Sequence, residues 1–264
     1  MDIASAIFVV LPVFGLIGIG YVAAWTGLLK AEIGEALGKF VYTVSLPALL
    51  FKSLGTAHYG DGHPWLYWAV YFFAAALSWM SASLVVTRLF GREKEAGIIA
   101  GVSAGFSNLV MLGIPFVISA FGEAGAAPLF LIVSVHLPIM MTVTTFLFAR
   151  HGAGEGNPFV TVLRNLATSP LVLGIVAGGL WRLTGLPIEG VAAAILDKLI
   201  AAAVPCALFS IGMGLTAYGI RGNVRPAIVI SVLKLLIMPA TVYLLGTHVA
   251  HLPPLWVAVA TSGA

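Results

Sequence analysis

Apolar stretches long enough to cross a bilayer recur from Ser5 almost to the last residue, and that recurrence leaves little room for any other kind of fold. A hydrocarbon core about 30 Å thick takes roughly 20 residues of helix. Runs bounded by charged residues or by Gly/Pro breaks lie near 5–25, 37–54, 65–89, 96–121, 127–149, 170–183, 188–218 and 228–245, and another begins near 252. With 60% hydrophobic residues, 9% charged and a mean hydropathy of +1.07, the chain is expected to be an all-α integral membrane protein. That composition excludes a soluble enzyme and a second soluble domain. The single cysteine, Cys206, excludes an intramolecular disulfide and a cysteine-built zinc site. A net charge of +3, scattered along the chain, does not suggest nucleic acid. No basic segment or small-residue cleavage signal precedes the first run, which reads as a retained span.

Cytoplasmic loops retain lysine and arginine during insertion. Sorting these residues by loop puts Lys30, Lys39, Arg88, Arg92, Lys94, Arg150, Arg164, Arg221 and Arg225 on one side and only Lys52 and Arg182 on the other. The expected topology is multi-pass in the inner membrane, with the N-terminus outside.

The sequence also repeats itself. A shift of about 158 positions aligns Pro12 with Pro170 and Gly20 with Gly178. The same shift aligns Thr26, Gly27 and Leu28 with Thr184, Gly185 and Leu186, and Pro47, Leu50 and Phe51 with Pro205, Leu208 and Phe209. Five spans per copy is an odd number, so the second copy enters the membrane from the opposite side: an inverted-repeat transporter fold. Residues 1–150 form the expected first repeat and 158–264 the second, divided by the polar stretch 150–157. A complete second copy would close near position ~308, so it is expected to be incomplete at its C-terminus, with the counterpart of Asn108 falling just past Ala264.

The most informative stretch is G-F-S-N-L-V-M-L-G-I-P-F, residues 105–116. Gly113 and Pro115 weaken the helix there, because proline removes a backbone donor and clashes with the preceding turn. In hydrocarbon such a break survives only where it is buried in protein or lines a wet cavity. A half-helix beginning near Pro115 would aim free amides and the positive dipole end at that cavity, which suits a carboxylate. Ser107 and Asn108 add a hydroxyl and an amide beside it. Ser107, Asn108, Gly113 and Pro115 are therefore the expected substrate-binding residues, with a proline kink as the bland alternative.

These segments carry a resemblance. Residues 46–54 (L-P-A-L-L-F-K-S-L), 105–116 followed by Gly122, and 205–215 (P-C-A-L-F-S-I-G-M-G-L) resemble the auxin efflux carrier family, whose bacterial members include permeases for malate, malonate and similar anions. The resemblance implies ten spans in two inverted fives and a crossing of two broken helices, similar to the bile acid:sodium symporters and sodium/proton antiporters. It also implies that Asn108 and Pro115 belong to the first broken helix. A second broken helix should carry a P-x-G-x-N pattern, which would lie beyond residues 261–264.

Further polar residues fall inside apolar runs. Lys234, in I-S-V-L-K-L-L-I-M-P, joins the expected substrate-binding residues as a counter-charge to an anion; the alternatives are a stand-in for a cation or a cap on the carbonyl end of a broken helix, and capping is favoured. His136, in S-V-H-L-P-I, is either a proton relay or a neutral packing residue, and packing is favoured. Pro47 and Pro205 are expected to kink their spans and support the crossing. Gly15 and Gly18 read as close helix packing. His58, His63, His248 and His251 fall in loops without a carboxylate pattern, so no metal site is expected. No mid-span carboxylate is found, which argues against a paired-carboxylate antiporter and leaves coupling to protons, to sodium or to neither open. The expected function is a secondary transporter of mono- or dicarboxylates working by alternating access, without cofactor and in contact with the lipid bilayer. A homodimer is one assembly open to it. The rival is a non-transporting membrane sensor or partner-binding protein that keeps the carrier fold.

Overall fold

The structure, a computed structural model, describes residues 3–56, 63–150, 157–217 and 224–264. Its described elements are all helical. The helices are α1 (Ile3–Trp25), α2 (Ala31–Phe40), α3 (Leu46–Thr56), α4 (Pro64–Leu84), α5 (Lys94–Gly105), α6 (Ile114–Phe121), α7 (Ala126–Arg150), α8 (Pro158–Thr168), α9 (Pro170–Thr184), α10 (Gly190–Leu215), α11 (Val224–His248) and α12 (Pro254–Gly263). Every expected apolar run is occupied by helix. Among the described residues, Ala31–Thr56, Pro64–Leu89, Lys94–Phe121, Ala126–Phe148, Gly190–Leu215 and Val224–His248 are long and apolar enough to cross a membrane. The protein is therefore multi-pass. The polar stretch 150–157 lies almost wholly outside the described residues.

Local chemistry sets the ends. Proline opens α4, α9 and α12, where its fixed φ suits the first turn and its missing N–H costs nothing. Ser169, held extended at ψ 117° by Pro170, separates α8 from α9. The repeated Thr-Gly-Leu tripeptide repeats its conformation too. Gly27 ends α1 at φ 74° and Gly185 ends α9 at φ 68°, left-handed values that a side chain would strain. The hydroxyls of Thr26 and Thr184 each donate back to carbonyls of the last turn.

Three five-residue π-helical turns interrupt the spans, at Val41–Ser45, Val85–Leu89 and Leu109–Gly113. Two of them end two residues before prolines, Pro47 and Pro115, and a wider turn relieves the clash of the ring with the turn before it. Pro205, by contrast, sits inside an unbroken α10.

The chain folds as two compact units, each drawing on both sequence halves. The first unit is Met1–His58, Leu109–Phe130 and Thr168–Ile220. In it α1 packs along α10, and α3 packs along α9. These pairings correspond under the 158-residue shift, and so does one close contact in each. A Cβ on Gly20 would lie 2.2 Å from the carbonyl oxygen of Phe209, and one on Gly178 would lie 2.6 Å from that of Phe51. Gly212 against Ile17 (2.0 Å) and Gly174 against Pro47 (2.7 Å) are equally close, so backbone meets backbone along both pairs. Gly15 and Gly18, expected to make such contacts, have nothing within 4 Å of a Cβ position, because they face away from α10.

The second unit is Tyr59–Asn108, Leu131–Ala167 and Arg221–Ala264. Here α4 packs on α5 and α11, and α11 on α12. Ala82, Val86, Ala100 and Ala104 form one small core, and Gly101 and Gly105 receive the Trp79 indole. The Trp68 indole N–H donates to the Leu131 carbonyl at 2.8 Å, tying α4 to α7.

Candidate functional site

The helix break falls at Phe106–Asn108. Phe106 leaves α5 in an extended conformation (φ −89°, ψ 100°), and helical geometry resumes at Leu109. This corrects the expected half-helix start near Pro115. Gly113 is helical at φ −65° and ψ −44°, and both Gly113 and Pro115 are buried within a helical segment that began earlier. The chain passes from the second unit to the first between Asn108 and Leu109. Ser107 and Asn108 thus belong to one unit, Gly113 and Pro115 to the other.

Within the second unit the break is held by side chains from other helices. A helix end leaves carbonyls without intrahelical partners. Lys234 of α11 donates its ammonium to the carbonyls of Ser103 (3.3 Å) and Phe106 (3.0 Å). Ser78 of α4 donates to the carbonyl of Ala104 at 3.3 Å. A cation at the negative end of α5 also complements its dipole. Lys234 therefore makes the capping contacts that the sequence favoured.

Ser107 is buried, and its hydroxyl donates to the Ala264 carbonyl at 3.1 Å and lies 3.8 Å from the Met238 sulfur. Asn108, one residue on, is exposed. His136 of α7 is fully buried among Phe106, Tyr71 and Phe72, with ring centroids 5.2, 5.6 and 6.2 Å away. Tyr71 approaches the Ser107 side chain and His136 the Ser107 backbone, but neither makes a well-formed hydrogen bond, and the Tyr67 and Tyr71 hydroxyls and both His136 nitrogens are unsatisfied among the described residues. Such a cluster is expensive in an apolar interior unless a ligand or proton completes it. Ser107, His136 and Lys234 are thus brought together around Phe106. Tyr71 and Ser78 join them without having been singled out in the sequence. An aromatic hydroxyl inside the apolar Val-Tyr-Phe-Phe run was the available signal.

Pro47 and Pro205 both lie in the first unit, where α9 rests on the Pro47 backbone through Gly174. Lys52, sorted from sequence to the side with few basic residues, lies in α3 and pairs with Asp197 of α10. Among the described residues no three His, Cys, Asp or Glu side chains are grouped to hold a metal, and His58 lies outside those residues.

Comparison with known proteins adds a family. The membrane transport protein family model matches residues 5–263. The chain is 30% identical to an uncharacterized transporter of Methanothermobacter thermautotrophicus, over 87% of this chain and 74% of that protein. It is 28% identical to a protein of Rhizobium meliloti named "Putative malonate transporter", over 95% and 79%. An uncharacterized transporter of Methanocaldococcus jannaschii is 25% identical over 90% and 78%.

Proposed function

Because this chain belongs to the membrane transport protein family, the auxin efflux carrier type its motifs resemble, and is a membrane transporter rather than an enzyme, we propose that it carries small mono- or dicarboxylates by alternating access. The observation that carries this reading is the mid-span break at Phe106–Asn108. Broken helices in secondary carriers supply backbone groups and dipole ends to a substrate at membrane depth. Here an exposed amide, Asn108, follows a buried hydroxyl, Ser107, with the ammonium of Lys234 bound to the adjoining carbonyl. The relative named for malonate supports a carboxylate.

Alternating access requires inverted halves and bodies able to move separately. The reciprocal contacts of Gly20 with Phe209 and Gly178 with Phe51 support the first, and the division into two compact units supports the second. In this reading Ser107 and Asn108 bind the carboxylate, while Gly113 and Pro115 shape the helix that follows. The N-terminus is outside, in the inner membrane.

Malonate uptake into proteoliposomes tests the site. Asn108→Ala should reduce uptake at least about 100-fold, the loss typical of removing a built hydrogen bond to substrate, with an unchanged thermal unfolding profile. Normal uptake by that variant overturns the assignment. Malonate-dependent stabilisation of the parent protein without flux would point instead to a receptor.

His136 is the proposed proton carrier. His136→Gln keeps a polar side chain of similar reach but cannot take up a proton. It should abolish the response of uptake to an imposed pH gradient while sparing malonate exchange across equal pH. An intact gradient response would assign His136 to packing.

A further inference from the structure

A second place in the molecule joins charge, volume and position near a membrane face. In the first unit a cavity of about 500 Å³ is lined by Lys52, Ser53 and Thr56 of α3, Asp197 of α10, Ile118 of α6 and Phe130 of α7. Lys52 and Asp197, 145 residues apart in sequence, form an ion pair. Lys52 lies four residues before the end of α3 and Asp197 seven after the start of α10, so both sit within ~10 Å of the same helix ends. In a hydrocarbon core about 30 Å thick, that is nearer one face than the middle.

The two partners are held unequally. The Lys52 side chain is 27% exposed and Asp197 is 56% exposed, so the lysine is the embedded charge and the aspartate the accessible one. A lysine this close to a helix end can snorkel to water; Lys52 instead turns to Asp197 beside the cavity. Helix packing does not demand the charge. The position that corresponds to Lys52 in the repeat is Ser210, which joins its neighbour by a neutral hydrogen bond to the Gly34 carbonyl at 2.9 Å. An ammonium has three donors, and a half-exposed ion pair is weak enough to exchange. The volume is in the range of small-molecule sites, and the Ser53 and Thr56 side chains add hydroxyl oxygens to its wall.

We propose that this cavity is a second binding site for the carboxylate, in which a small dicarboxylate displaces Asp197 from Lys52. The inference rests on the carrier reading for its ligand class but uses none of the residues at the break. Asp197 then acts as a built-in competitor. It keeps Lys52 neutralised when no substrate is present and yields to a ligand that brings two carboxylates, one for Lys52 and one for solvent or the hydroxyls.

Amine-selective labelling of the full chain in proteoliposomes, read per lysine by mass spectrometry, tests this with acetate, malonate and succinate as probes. Malonate or succinate should protect Lys52 with no change at Lys30 and Lys94, and acetate should protect it less. Asp197→Asn should lower the half-protecting concentration about fivefold by removing the competitor. Labelling of Lys52 that none of the three anions changes overturns the site, even if malonate is transported. Protection that is indifferent to Asp197→Asn overturns the exchange. Protection of Lys52 in a protein that shows no uptake leaves this site in place and overturns the carrier reading.

Discussion

Gly20→Ala and Gly178→Ala should each destabilise the protein by about 3 kcal/mol, at the upper end of what overpacking costs. The new Cβ would stand 2.2 Å from the Phe209 carbonyl oxygen in one case and 2.6 Å from that of Phe51 in the other. Neither neighbour is a side chain that can swing away. Both are backbone within a helix, so relief requires α1 to move off α10, or α9 off α3, along their whole lengths. Gly15→Ala and Gly18→Ala on the same helix as Gly20 should stay within about 0.5 kcal/mol of the parent, because nothing lies within 4 Å of either. Thermal unfolding in detergent, followed by tryptophan fluorescence, separates the two pairs. Equal effects at Gly18 and Gly20 would mean that α1 does not use this face against α10.

The second large effect concerns Lys234. Replacing it by methionine removes two charge-assisted hydrogen bonds, at 3.3 and 3.0 Å, and leaves the carbonyls of Ser103 and Phe106 without those donors. Such bonds contribute about 1.5–3 kcal/mol each. Removing the partly buried charge itself offsets part of that loss, so a net cost of about 2–4 kcal/mol is expected. Glutamine separates the roles the sequence left open. Its amide can donate to one carbonyl but brings no charge. If Lys234→Gln recovers most of the stability and the malonate uptake lost in Lys234→Met, the lysine serves the helix end. A stable Lys234→Gln protein without uptake would make the positive charge itself part of anion binding.

The sequence and the structure agree where the controlling physics is local. Run length and hydropathy locate the six helices long and apolar enough to cross a membrane to within about six residues, though α8 has no counterpart among the expected runs, and the Pro170, Gly27 and Gly185 boundaries follow from φ preferences that any chain would obey. The helix break was legible as a region but displaced. Gly113 and Pro115 are the residues with visible breaking chemistry, yet Pro115 is absorbed by the π turn Leu109–Gly113, and the chain opens at Phe106, a residue with no such tendency. The carbonyls exposed there are compensated by Lys234 and Ser78, on helices far away in sequence, and no local reading contains that information. The same holds for the pairing of Lys52 with Asp197, whose partners are 145 residues apart. Spacing also could not say which of Gly15, Gly18 and Gly20 faces a partner, since that depends on the rotation of α1. Comparing two distant stretches with each other carries longer-range information: the 158-residue shift pairs Gly20 with Gly178 and Phe51 with Phe209, and Gly20 meets Phe209 as Gly178 meets Phe51.

The interleaving of the two units also imposes a timetable on biogenesis. The partners of α1 and α3 are α10 and α9, which reach from Pro170 to Leu215. At ~5–20 residues per second, the ribosome needs roughly 8–30 s after Thr56 is made before that partner segment is complete. During that interval α1 and α3 lack the helices that cover their packing faces. Neither unit can close on material from the first half alone, so a slow or paused translation would lengthen the period in which an early helix can pair with the wrong neighbour.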